Sequence, residues 1–316
     1  VSVWLALTGA LPAIVAMWYV DRLDAKRPEP PRLRRLVAFV GMLSVIPALL
    51  IGVVSEAALG ELVGPAHSYN GALFTSYVRA AFVEELCKIA VVYWMVWRRP
   101  EFDERMDGIV YAVRAGLGFA LVENVFYLLG TSDMSGFVTV WLLRACLAVP
   151  GHAMWTGMIG ALAARRRFDG KGVGLFGGFL LAVFFHGTYD ACIFLSVPLH
   201  LEGKGEIAIA LLGGPVVLTL AAALVMRRLS RTAAHLDDAD ALAREQAAAM
   251  AQAASGGPYG HPHAVPHGPP PHGPPPGQPA PYPQPPAGGL DGPPWRPPGG
   301  PHRGGSGSGA GGSGGQ

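Results

Sequence analysis

The chain has 316 residues, of which 51% are hydrophobic and only 15% charged, and its formal net charge is +2. A soluble domain carries about 25% charged residues, and the mean hydropathy of +0.33 already includes a C-terminal stretch of Gly, Pro and polar residues that lowers it. An ordinary soluble enzyme, a nucleic-acid binder and a disulfide scaffold are excluded, which leaves an all-α, polytopic membrane protein.

Crossing a bilayer takes about 20 residues of helix. Seven stretches qualify: 1–20, 36–56, 76–97, 108–130, 137–164, 173–198 and 206–226. The first holds Pro12 and the last Gly213, Gly214 and Pro215, residue types that membrane helices tolerate. No cleavable signal peptide is expected, because the first apolar run is too long and lacks a basic leader. Val1 at the start is compatible with residues preceding it. Cys87, Cys146 and Cys192 each fall in an apolar run without ligand spacing and are expected to be small buried hydrophobes.

Basic residues set the expected orientation, since cytoplasmic loops are enriched in Lys and Arg. They crowd the loops at 21–35, 98–107 and 165–172 and the segment from Arg227 onward. The intervening loops 57–75 and 131–136 hold none, and 199–205 holds only Lys204. This alternation predicts a multi-pass cell-membrane protein with its N-terminus outside and its C-terminus cytoplasmic. Three regions follow: a membrane core over 1–230, a short exposed cytoplasmic helix over 231–254, and a low-complexity tail over 255–316. The tail has 19 Pro and 19 Gly in 62 residues. It cannot bury enough apolar surface to offset its ordering entropy, so disorder is expected.

Ionisable residues inside a span are costly and therefore candidates for function. The third span carries Arg79, Glu84, Glu85 and Lys88, and the fourth Arg114 and Glu123. The fifth carries Arg144 and His152, and the sixth His186 and Asp190. With a helical rise of about 1.5 Å per residue, Glu84, Glu85, Glu123, His152 and His186 all fall about 18–21 Å from the cytoplasmic edge. Four helices thus bring three Glu and two His to one layer. Glu84 and Lys88, and likewise His186 and Asp190, are i,i+4 pairs on one helix face. Lys88 is expected to act as a charge partner of Glu84 and Asn124 as a helix–helix hydrogen bond. Arg114 is expected to snorkel to the membrane edge, and Arg79 or Arg144 to pair with Asp190.

Three readings of the layer stand open at this point. It could hydrolyse, with a carboxylate activating water and His or a metal stabilising the oxyanion. It could carry an ion or proton as a transporter. Or it could be a non-catalytic scaffold whose charges only hold helices in register. A transporter of this size often shows two similar halves, and no internal repeat is evident, which leans toward hydrolysis.

Four motifs on successive spans then carry a resemblance. Glu84-Glu85-x-x-Lys88 is followed by Phe119-x-x-x-Glu123-Asn124, by Arg144 with Pro150-x-His152-x-x-Trp155-Thr156-Gly157, and by His186-x-x-x-Asp190. In this order and spacing the chain resembles the PrsW family of intramembrane proteases, itself similar to the CAAX prenyl endopeptidases and bacterial CPBP proteins. The loop Arg27-Pro28-Glu29-Pro30-Pro31 also resembles that family, and the likeness spans about residues 10–226. It implies a peptidase that cuts single-span membrane proteins, anti-sigma factors among them. The implied catalytic residues are Glu84, Glu85, Glu123, His152 and His186, supported by Asp190. The resemblance leaves a metal-dependent and a glutamate-dependent route open. Without an HExxH motif, a zinc or other divalent site would be assembled across helices, with Glu123, His152 and His186 as three protein ligands. No nucleic-acid partner is implied.

Overall fold

The computed structural model describes residues 2–23 and 25–255, and every regular element among them is a helix. Except for Ser255, the tail expected to be disordered lies outside the described residues. In chain order the long helices are α1 (Val3–Leu23), α2 (Pro31–Val63), α3 (69–95), α4 (Arg105–Leu129), α5 (Met134–Asp169), α6 (Gly174–Leu201) and α7 (Gly214–Ser255). Six helical stretches are long and apolar enough to cross a membrane, the last including the short helix Gly205–Leu211 ahead of α7. The exception is α3, whose Arg79, Glu84, Glu85 and Lys88 lower its hydropathy. At about 1.5 Å per residue it is still about 40 Å long, enough to span. The protein is a multi-pass membrane protein.

The bundle is built around α4, whose most apolar window is 72% buried, whereas the other spanning helices keep broad apolar faces outward. Helices α1, α2, α3, α5 and α7 all pack on α4. In lipid the drive for helix association is close packing rather than hydrophobic exclusion, and small residues permit it. The α4–α5 crossing follows that rule. A Cβ on Gly160 would stand 1.9 Å from the carbonyl oxygen of Gly108, and one on Gly116 would stand 2.6 Å from that of His152. Glycine at these positions therefore sets how near α5 brings His152 to the central helix.

Two helices carry π-helical turns, Thr75–Phe82 in α3 and Arg144–Ala148 in α5. Each such turn inserts a residue and re-aims the side chains that follow. The first ends just before Glu84 and Glu85. The second begins at Arg144 and is followed by Pro150 and His152.

At the basic-loop end, Phe168 and Tyr111 stack on Phe102 and Trp97 packs tilted against it, forming an aromatic plug. The stretch expected as a separate, exposed helix over 231–254 instead continues α7 without a break, and part of it is docked. Asp237, 1% exposed, accepts hydrogen bonds from the backbone amides of Arg105 (3.1 Å) and Met106 (2.9 Å) and from Arg105 Nη1 (2.8 Å). Those amides open α4 and have no partner within the helix. Asp240 and Asp169 hold the same guanidinium, and Asp238 reaches Lys26 and Arg27.

Candidate active site

Glu84, Glu85 and Lys88 lie on α3, Glu123 on α4, Arg144, His152 and Thr156 on α5, and His186 and Asp190 on α6. Their side chains meet in one cluster. At its centre Lys88 Nζ donates to Glu84 Oε2 (3.0 Å) and Glu85 Oε1 (2.9 Å) and lies 2.8 Å from His152 Nδ1. Because an ammonium only donates, His152 Nδ1 accepts, and its proton then sits on Nε2, 2.8 Å from Glu123 Oε2. Arg144 Nη2 donates to that same Glu123 oxygen (2.6 Å), and Arg144 Nε donates to Asn124 Oδ1 (2.6 Å).

The second histidine is held from the other side. His186 Nδ1 lies 3.0 Å from Glu85 Oε1, while Thr156 Oγ1 donates to Glu85 Oε2 (2.7 Å). Both oxygens of Glu85 are therefore engaged, and the residue is fully buried. His186 Nε2 faces Asp190 Oδ2 (3.4 Å) and Glu84 Oε2 (3.8 Å). Trp155 stacks on the His186 ring at 4.2 Å, and its buried Nε1 has no hydrogen-bond partner among the described residues.

One group here can hold a metal. Ligand atoms of Glu84, His152 and His186 all lie within 4.8 Å of one another. Ligands on a tetrahedral zinc stand about 3.3 Å apart, given bonds of about 2.0–2.1 Å, so this set is near closure. His186 already has the usual support of a metal-bound imidazole, a carboxylate on its other ring nitrogen. Charge also fits. Four carboxylates (Glu84, Glu85, Glu123, Asp190) face two fixed cations (Lys88, Arg144), which leaves two negative charges over if both imidazoles are neutral. A dication balances them. The residues present thus fit a divalent ion, provided that Lys88 yields its contact with His152.

Several expectations change on this geometry. The metal-capable set contains Glu84, where Glu123 had been expected beside the two histidines; Glu123 is engaged by Arg144 and His152 instead. Arg144 does not pair with Asp190, and Arg79 pairs with Glu56 (2.9 Å). Arg114 does not snorkel: it is 6% exposed and bonded to Asp21 and to the Met17 carbonyl. Asn124 does join helices, donating to the Gly9 carbonyl of α1 (3.1 Å). Cys87 and Cys192 are buried and Cys146 is exposed. The contacts of Thr156 and Trp155 were not foreseen, although both sit within two turns after His152, where a helix presents neighbours of the same face.

The fold and site define a multi-pass membrane protein with a buried carboxylate–histidine centre able to hold a metal. The family model described as PrsW family intramembrane metalloprotease matches residues 29–226. Protease PrsW of Geobacillus kaustophilus (strain HTA426) is 34% identical over 184 residues, 58% of this chain and 76% of the relative. Protease PrsW of Bacillus subtilis (strain 168) is 32% identical over 187 residues, 58% and 79% of the two chains. That of Clostridioides difficile (strain 630) is 28% identical over 199 residues, 61% and 80%. No solved structure matches the chain. The chain belongs to the PrsW family and is an intramembrane protease.

Proposed function

We propose that Glu84, Glu85, Glu123, His152, His186 and Asp190 form one metal-dependent hydrolytic centre that cuts single-span membrane proteins, with anti-sigma factors or similar membrane-anchored regulators as the substrate class. The observation that carries this reading is the convergence of Glu84, His152 and His186 from three helices onto one buried point, among four carboxylates and two fixed cations that leave two negative charges over when both imidazoles are neutral. Such a charge is costly in a membrane unless a cation joins it.

In this reading Glu84, His152 and His186 hold a divalent ion, zinc by its preference for His and carboxylate in a tetrahedral set. The chemistry such an ion supplies when bound is polarisation of the scissile carbonyl and acidification of a water. Glu85 does not meet water; it accepts from His186 Nδ1 and fixes that ring. Thr156 and Lys88 fix Glu85 in turn. Asp190 is the carboxylate with the fewest partners and serves as the base. The water oxygen bonds to the carbonyl carbon while its proton passes to Asp190, and the carbonyl π pair moves onto oxygen. When that pair returns, the carbon–nitrogen bond breaks and the leaving amine takes the proton from Asp190. One water is consumed and one peptide bond lost.

The glutamate-dependent route has one observation in its favour, the Lys88 ammonium lying among Glu84, Glu85 and His152 where a cation is needed. The basic-loop alternation supports an N-terminus outside and a cytoplasmic C-terminus. The experiment is co-expression with tagged single-span membrane proteins, scoring cleavage product and enzyme abundance together. Glu85→Gln, His152→Ala and His186→Ala are each expected to lose about 10²–10⁴ in rate at normal abundance. Full cleavage in all three would overturn the site. Ion-coupled flux without proteolysis would return the layer to transport.

A further inference from the structure

We propose that Arg144 is the residue that receives the oxyanion of the scissile bond, its free Nη1 donating to the developing negative oxygen. This rests on the hydrolytic reading above.

Exposure divides the cluster into a floor and a rim. The side chains of Glu85, Lys88, His152 and His186 are 0–3% exposed, whereas those of Glu84, Glu123, Arg144 and Asp190 are 14–16% exposed. Substrate meets the rim. Three of the four rim groups are carboxylates, which when ionised only accept hydrogen bonds and repel a forming oxyanion. Arg144 is the fourth. Lys88, the other fixed cation, lies fully buried on the floor, bonded to Glu84 and Glu85, and does not reach the rim.

Arg144 is also held rigid, as an electrostatic catalyst needs to be. Its guanidinium is clamped by Glu123 at Nη2 and by Asn124 at Nε, both at 2.6 Å, and lies over the Tyr127 ring at 3.9 Å. Asn124 is itself fixed by the Gly9 carbonyl. Nη1 takes no partner among the described residues. Only one oxygen, Glu123 Oε2, separates Arg144 Nη2 (2.6 Å) from His152 Nε2 (2.8 Å), so the guanidinium stands two hydrogen-bond lengths from a member of the metal-capable group. The π-helical turn that starts at Arg144 accounts for this aim, because it re-sets the register between Arg144 and His152. The unpartnered Trp155 Nε1 is the competing donor, but that atom is buried behind His186.

The test is binding in nanodiscs by the full chain, with two probes: an apolar peptide library holding one tetrahedral phosphinate in place of a peptide bond, and the same library with all amides. The wild type is expected to prefer the phosphinate. Arg144→Gln is expected to lose about 10²-fold of phosphinate affinity, as removal of an oxyanion donor does, while amide affinity changes less than about threefold. Arg144→Lys, which keeps the charge beside Glu123 and guards against a folding failure, should fall between. Trp155→Phe should keep the preference. Equal losses for both probes in Arg144→Gln, with Arg144→Lys like the wild type, would reduce Arg144 to a positioning role and overturn the assignment. Loss of the preference in Trp155→Phe alone would move it to the indole. A wild type that does not prefer the phosphinate would instead overturn the hydrolytic reading itself.

Discussion

Lys88 shows how a single side chain can be read correctly in kind and wrongly in extent. The i,i+4 spacing predicts its pair with Glu84, and that pair exists. The i,i+3 spacing of Glu85 allows it to turn to the same ammonium as well, but spacing along one helix says nothing of His152 arriving from α5. A pairwise reading expects Lys88→Met to be milder than loss of a histidine. With three acceptors left in a buried site, we expect it to cost about 3–5 kcal/mol of stability, seen as lower melting in detergent and low yield. Wild-type melting in Lys88→Met would contradict the three-way contact. Five of the six candidate site residues stood out as rare ionisable groups at one depth, and all six as members of four motifs. What was not legible was their pairing, because Arg144, Glu123 and His152 share an oxygen only through the tertiary approach of α4 and α5.

At the scale of elements, the spans other than α3 stand out by hydropathy, and the ends of several by Pro, Gly and basic residues. The π-helical turns were not, since nothing in the 75–82 or 144–148 residues distinguishes a π turn from an α turn by composition. The continuation of α7 was also hidden: its alanine-rich stretch reads as a free helix until the Asp237 contacts to Arg105 and Met106 are seen. Two expectations follow. Gly160→Leu puts a side chain where the Gly108 carbonyl lies, so α4 and α5 separate and folded protein should be lost; a normal yield with retained cleavage would argue against the close crossing. Asp237→Ala removes the carboxylate cap of α4, worth about 1–2 kcal/mol. Limited proteolysis should then cut faster beyond Arg231, with cleavage activity per folded molecule unchanged. Unaltered proteolysis would mean that the docking contributes nothing.

The described residues form a bundle around one buried helix, with charge concentrated where lipid would not tolerate it unpaired. That arrangement gives the two largest expectations. The first is orientation. Cysteines placed in loop 165–172 should resist an impermeant thiol reagent applied to intact cells and react after permeabilisation; efficient labelling from outside would reverse the proposed topology. The second is the charge balance at the centre, on which the metal-dependent reading depends. The measurement is the metal content of the purified chain by elemental analysis. The wild type should carry about one zinc or equivalent divalent ion per chain. Glu84→Gln, His152→Ala and His186→Ala should lose it, while Arg144→Lys should keep it. A wild type that cleaves substrate with no bound metal, or a Glu84→Gln chain that retains its ion, would contradict the account.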